Sequence, residues 1–237
     1  MADVRACIFD IFGTTVDWRT SVSRDLAGFA QEKGIRGIDW VKFAEEWRAM
    51  YQPSMEEVRS GRRPWTILDV LHKESLAALI GRHGIAGLSE AEIDHLSRAW
   101  HRLDPWPDVV EGLTRLKKKM IIAPCSNGNI ALMVNMAKRA GLPWDCILGA
   151  ETARAYKPMP EAYLASCRHL GLPPAQVMMV AAHNGDLKAA KAQGLATGFV
   201  PRPTEHGPGQ KTDLAADPSC VDVPASSFVD LAKKLGC

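Results

Sequence analysis

Four short segments of the chain are apolar throughout or nearly so: Val4–Phe9, Met120–Ala123, Val177–Ala182 and Ala196–Val200. Apolar runs this short, without polar alternation, read as strands covered on both faces, which predicts a parallel sheet with flanking helices. The pattern turns helical over Ile130–Ala140, Glu161–Leu170 and Leu187–Gln193, and each stretch ends at a glycine: Gly141, Gly171 or Gly194. Glycine adopts the left-handed conformation of a helix stop at no steric cost. Strand, helix, glycine, strand is the order of an α/β fold.

The stretch between about Asp17 and Asp104 differs. Its pattern predicts helices over Val22–Lys33, Trp40–Ser60, Trp65–His83 and Glu90–Arg102, with Ser89 and Glu92 spaced as a capping box, and it holds no strand candidate. Trp40, Trp47, Trp65 and Trp100 fall here and read as a helical core. The chain therefore divides into an α/β part, residues 1–17 and 104–237, and a helical insertion, residues 18–103. Residues 201–224 are rich in Pro, Gly and Asp and read as a long surface connection before a last helix over Phe228–Leu235.

Composition narrows the function classes. The 237 residues are 46% apolar and 24% charged, ordinary for one large globular domain or two modest ones. With 29 basic and 27 acidic side chains the formal charge is +2, too balanced for a nucleic-acid-binding protein. No apolar run approaches the ~20 residues of a membrane span, and the start lacks the build of a signal peptide. The six cysteines form no CxxC pair, which points away from a zinc site or disulfide framework and towards small core fillers in a reducing cytoplasm.

In a parallel α/β sheet ligands sit beyond the carboxyl ends of the strands. After the first strand comes Asp10-Ile11-Phe12-Gly13-Thr14-Thr15, after the second Ser126-Asn127-Gly128-Asn129, and after the third His183-Asn184-Gly185-Asp186. Between the last two lies Ala155-Tyr156-Lys157-Pro158. Two carboxylates, a lysine and a Ser-Asn-Gly turn can converge into one compact polar site. Asp10 alone would read as a turn or capping residue; its company makes it a candidate nucleophile.

Taken in order, these four segments resemble the haloacid dehalogenase superfamily, whose members use a strand-end Asp as nucleophile and carry a helical cap after the first motif. The resemblance spans the whole chain and implies a Rossmann-like parallel-sheet core with an all-helical cap domain. Phosphatases of the superfamily carry Asp-x-Asp in the first motif and a further acid in the fourth, but those positions hold Phe12 and Ala182. Without that acid an all-protein magnesium site is disfavoured. The pattern is closer to the L-2-haloacid dehalogenase branch, which needs no metal or other cofactor. Asp10, Phe12, Gly13 and Thr14 match its first motif, Ser126 and Asn127 its second, and Lys157 with Tyr163 its third. Trp47-Arg48 matches its cap arginine. The fourth motif departs, with Ala181, His183 and Gly185 where the branch has Ser, Asn and an aromatic residue, before the retained Asp186.

The resemblance implies attack by Asp10 on C2 of a short L-2-haloalkanoate, loss of halide, and hydrolysis of the aspartyl ester to the inverted 2-hydroxy acid. Lys157 then offsets the charge of Asp10, and Asp186 orients water or accepts from Lys157 and Ser126. Thr14, Ser126 and backbone N–H groups near Asn127 serve the substrate carboxylate. Arg48 and Asn127 serve the halide, with Arg59, Arg62 and Arg63 as substitutes for Arg48. His183 is either a neutral structural imidazole, a donor to halide or an acceptor for water, and Tyr163 either touches substrate or packs. Trp18 and Trp65 either wall the pocket or belong to the core. The partner is a small 2-haloacid, and a homodimer is compatible with the branch. Two rival readings stay open: a magnesium-dependent phosphatase and a catalytically silent binding protein.

Overall fold

The computed structural model describes residues 3–237. The chain opens with β1 (Ala6–Phe9) and, after a tight turn, β2 (Val16–Asp17). Helices α1 (Trp18–Lys33), α2 (Trp40–Ala49), α3 (Tyr51–Arg59), α4 (Leu68–Arg82) and α5 (Glu90–Ser97) follow, with a short 3₁₀ turn over Arg98–His101. The chain returns through β3 (Asp104–Pro105), which pairs antiparallel with β2, Val16 opposite Pro105 and Asp17 opposite Asp104. The helical segment thus leaves and re-enters through one two-stranded ribbon. Its first helix is capped by Asp17, which accepts from the Thr20 N–H, and its fifth by the expected Ser89–Glu92 capping box.

The remainder is α6 (Val109–Lys117), β4 (Ile121–Ser126), α7 (Ile130–Ala140), β5 (Leu148–Gly149), α8 (Ala150–Ala153), α9 (Pro160–Leu170), β6 (Val177–Ala181), α10 (Asn184–Ala192), β7 (Ala196–Phe199), β8 (Val223–Pro224) and α11 (Phe228–Lys234). The sheet runs β5-β4-β1-β6-β7-β8, every pair parallel. β1 lies between β4 and β6 and is buried along its whole length, as its apolar run requires. Its side chains alternate: Cys7 and Phe9 join the larger core with the helical segment, and Ala6 and Ile8 the smaller core on the other face. The carboxyl ends of β1, β4 and β6 therefore open on one edge.

Three expectations change. Trp40–Ser60 is two helices, because Pro53 has no N–H for the Ala49 carbonyl and the first helix stops there. The short strands β5 and β8 carry too little pattern to be read from the sequence, whereas α6, with Val109, Leu113 and Leu116 buried at helical spacing, is an addition to the expected elements. Residues 201–224 are no mere surface connection: Arg202 is 7% and Glu205 1% exposed. Composition rich in Pro and Gly predicts irregular backbone, but it says nothing about what that backbone covers. Arg202 donates to the Thr14 carbonyl at 2.9 Å and pairs with Asp108 at 2.7 and 3.1 Å, pulling the segment onto the first-motif loop.

Trp47 and Trp100 lie in the helical core with Trp18, while Trp40 and Trp65 pack at its margin. Elsewhere α6 and α11 meet at a glycine: a Cβ on Gly112 would sit 2.4 Å from Phe228 Cβ and 2.5 Å from its carbonyl carbon. Gly→Ala inside a helix ordinarily stabilises by ~1 kcal/mol. Here Gly112→Ala is expected to destabilise by about 1–3 kcal/mol through overpacking, read as a lower urea midpoint at unchanged slope.

Candidate active site

The turn after β1 is fixed before any ligand arrives. The Asp10 N–H donates to the Val180 carbonyl at 2.9 Å, and Thr15 Oγ1 donates to the Asp10 carbonyl at 2.6 Å. Gly13 has φ +89°, and a Cβ there would stand 2.0 Å from Glu205 Oε1. Backbone conformation and lack of space both demand glycine at that position. At the end of β4, Ser126 Oγ accepts from the Gly128 N–H at 3.0 Å, while Asn127 Oδ1 accepts from the Lys157 N–H at 2.8 Å. The second motif thus anchors the backbone of the third.

Lys157 Nζ lies between two carboxylates, 2.9 Å from Asp10 Oδ1 and 2.5 Å from Asp186 Oδ2. Asp186 Oδ1 accepts from the Tyr163 hydroxyl at 2.6 Å. On the other side of Asp10, Oδ2 accepts from Thr14 Oγ1 at 2.6 Å and contacts His183 Nδ1 at 3.1 Å. His183 Nε2 is 2.8 Å from Glu205 Oε2, and Glu205 Oε1 accepts from Trp18 Nε1 at 3.1 Å. One continuous network runs from Tyr163 to Trp18.

Burial pushes the Asp10 carboxyl up, but Lys157, His183 and Thr14 outweigh it and hold Asp10 well below the usual carboxylate range. Burial likewise opposes the charge on Lys157, and Asp10 and Asp186 reverse it, keeping the ammonium protonated. For His183 burial favours the neutral ring, yet its bonds to Asp10 and Glu205 raise it to about 10. At neutral pH it is an imidazolium donating from both nitrogens.

These groups floor a cavity of about 440 Å³ with Asp10, Asn127, Lys157, His183 and Asp186 on the sheet side. Arg48, Tyr51 and Gln52 face them from the helical segment. The Arg48 guanidinium lies 4.3 Å from the centre of the Tyr51 ring, and its buried Nε has no partner among the described residues. Arg59, Arg62 and Arg63 are held instead by Glu56, Glu57 and Glu74. Phe12 supplies an apolar wall, edge-on to Tyr51 and Trp100. Among the described residues no group of three or more His, Cys, Asp or Glu side chains is placed to hold a metal ion.

Residues 4–194 match the family described as haloacid dehalogenase-like hydrolase. The chain belongs to that family. Among its haloacid dehalogenase-like relatives of known structure, the defluorinating L-2-haloacid dehalogenase Rha0230 superposes with a TM-score of 0.96 at 50% identity, covering 99% of this chain and 96% of the other. The L-2-haloacid dehalogenase PA0810 gives a TM-score of 0.92 at 48% identity, over 98% and 99% of the two chains. By sequence, (S)-2-haloacid dehalogenase 4A of Burkholderia cepacia is 28% identical over 197 residues, 82% of this chain and 81% of that one.

In this dehalogenase-like site the expected residues converge, with four corrections. Thr14 gives its only hydroxyl proton to Asp10, so it is no donor to a substrate carboxylate. Ser126 is wholly buried and bonded to Gly128, outside the cavity lining. Asp186 accepts from Tyr163 rather than Ser126, which makes Tyr163 a support for Asp186. His183 is neither a backbone-bonded neutral ring nor a free donor or acceptor, because both nitrogens are engaged by carboxylates. Trp18 belongs to the core and backs the site, donating to Glu205 and lying 5.7 Å from the Arg48 guanidinium. Glu205 itself escaped the sequence reading, lying in an irregular segment without a motif.

A group whose pKa is raised on folding stabilises fully below its ordinary value and loses that contribution as pH climbs to the folded one. For His183 this window runs from the ordinary ~6.5 to about 10, whereas Asp10, held low, acts only in acid. His183→Gln should therefore flatten the decline of unfolding free energy across that alkaline window. Urea titrations at several pH values test this; parallel curves for variant and wild type would remove the charged-imidazole assignment.

Proposed function

We propose that this chain is a metal-independent hydrolase of carbon–halogen bonds, acting on a short L-2-haloalkanoate or haloacetate. The observation that carries the reading is an ionised Asp10 facing, across a cavity, the Arg48 guanidinium that has no carboxylate partner among the described residues. Such a cavity is built for a small anion with a reacting carbon beside its charge. The high identity to two L-2-haloacid dehalogenases supports the same reading. Phe12 favours it over phosphate-ester chemistry, since a phenyl ring can pass no proton to a leaving alcohol.

The residues then take these roles. Asp10 attacks C2 from the side opposite the halogen, forming an aspartyl ester and releasing halide. Arg48 and the Asn127 amide hold the substrate carboxylate and the departing halide, and Phe12 keeps that pocket dry. Lys157 offsets one of the two charges of the Asp10–Asp186 pair, which lessens the repulsion on an entering anion. Asp186, fixed by Lys157 and Tyr163, orients water towards Asp10 Cγ. Attack there breaks the Cγ–Oδ1 bond, returns Asp10 as a carboxylate and frees the 2-hydroxy acid with inverted configuration. Residues 18–103 act as a cap domain over a core of residues 1–17 and 104–237. The reading places the enzyme in the cytoplasm, where its six cysteines remain thiols, and admits a homodimer.

Halide release from chloroacetate, L- and D-2-chloropropionate and fluoroacetate, run in a chelator, is the direct test. Halide from the L enantiomer and the acetates, with none from the D enantiomer, is expected. Phosphate release that appears only when magnesium is restored, with no halide from any substrate, would overturn the reading. A single turnover in ¹⁸O water should place the label on Asp10 rather than in the product, and Asp10→Asn should abolish halide release. Arg48→Ala should cost about 2–4 kcal/mol in kcat/KM, the loss typical of one anion-stabilising donor; a near-normal value would move the anion site elsewhere.

A further inference from the structure

Resting on the dehalogenase reading, we propose that Glu205 is a positioning residue for the second half-reaction. It pins His183 against Asp10 Oδ2, so that His183 and Thr14 form an oxyanion hole for hydrolysis of the aspartyl ester. Three observations lead there.

The first is a count of lone pairs. A carboxylate oxygen has two acceptor positions. Both positions of Asp10 Oδ2 are filled, by Thr14 at 2.6 Å and His183 at 3.1 Å, whereas Oδ1, among the described residues, accepts only from Lys157 at 2.9 Å. Oδ1 keeps a free lone pair and is the oxygen that attacks. Oδ2 then becomes the ester carbonyl, already seated between two donors. Addition of water to Cγ puts negative charge on Oδ2, and collapse of the intermediate breaks Cγ–Oδ1. The electron pair leaves with the product oxygen, which takes up one proton of the water; the other is released.

The second observation is that Glu205 cannot easily move. It is 1% exposed, Trp18 Nε1 donates to Oε1, and its carboxylate covers Gly13, where no Cβ would fit. It leaves His183 Nδ1 aimed at Oδ2 and keeps the ring charged when Asp10 loses its own charge on ester formation. The third is the sign of the effect. A cation on Oδ2 stabilises the resting carboxylate, so it gives no help to the first step, in which charge leaves Asp10. In the second step charge returns to Oδ2, and a fixed cation there lowers the barrier.

The test separates the two steps. With L-2-chloropropionate in rapid quench, Glu205→Gln should give a halide burst of one equivalent and accumulate an enzyme heavier by the alkyl ester, seen by mass spectrometry. Ester hydrolysis should slow by about 10²–10³-fold, the loss found for one oxyanion donor. His183→Asn should behave alike, and the double variant should be no worse than His183→Asn alone, because Glu205 acts through His183.

The pH profile gives a readout that a packing role would not move. Asp10 and Glu205 contact His183, Lys157 and Asp186 share its side of the cavity, Arg48 faces it from the helical segment, and His206 flanks Glu205. Of the two imidazoles on Glu205, His183 at 2.8 Å is held closer than His206 at 3.5 Å. In the ester, where Asp10 is uncharged, Glu205 is the carboxylate that keeps the His183 ring protonated, so in Glu205→Gln the alkaline limb of ester hydrolysis should move to lower pH, towards the ordinary imidazole value of ~6.5. Equal slowing of both steps, or an unchanged hydrolysis rate in either single variant, would overturn the proposal. A wild-type enzyme that releases no halide would instead remove the dehalogenase reading beneath it.

Discussion

The site depends on one buried cation. Asp10 and Asp186 are each largely withdrawn from water, and two carboxylates at that separation could not both stay ionised without a counter-charge. Lys157 Nζ supplies it by contacting both. A buried ion triad costs desolvation that its own attraction barely repays, so other parts of the chain hold it in place. Asn127 fixes the Lys157 N–H, Arg59 donates to the Lys157 carbonyl, and Tyr163 holds the far oxygen of Asp186. Strand ends and a helix of the inserted helical segment are thereby tied to one loop lysine.

The balance of charge extends from that triad. Asp10, Asp186 and Glu205 contribute three negative charges; Lys157, His183 and Arg48 contribute three positive ones. Two of the cations are shared between carboxylates, which leaves Arg48 as the one without a carboxylate partner among the described residues. The charges of these six groups sum to zero, but the unshared positive charge stands at the cavity wall opposite Asp10. On the proposed reading an anionic substrate pairs with that unshared charge and is oriented by it, its own charge towards Arg48 and its neighbouring carbon towards Asp10. Neutral substrates gain nothing from that arrangement.

How far this was legible in the sequence follows from which physics each feature uses. β1, β4, β6 and β7 were readable because strands buried on both faces must be apolar throughout, and α7 because an amphipathic helix ending at Gly141 carries its period and its stop. Asp10 and Asp186 were readable because polar groups that follow strands gather at one sheet edge, and Lys157 because it falls between them in the order of the resembled motifs. What was not readable was allocation. Thr14, Ser126 and Asp186 each had several possible partners, and only geometry decides which lone pair meets which proton. The two-residue strands β5 and β8 lack enough residues for any period to show.

Glu205 is the instructive omission. A motif search looks for chemistry at the ends of regular elements, and residues 201–224 are dense in turn formers with no regular period. Yet two features already in the sequence bear on it. The fourth motif lost its usual residues and acquired His183, a side chain whose charge at neutral pH must be set by its surroundings. The chain also carries Arg202, a charge that burial beside Asp108 makes into an anchor for the segment. A histidine introduced beside a nucleophilic carboxylate would share that single anion unless a second carboxylate claimed its other nitrogen. Substitution in one motif therefore implies a compensating group somewhere else in the chain, and the least patterned segment is free to provide it.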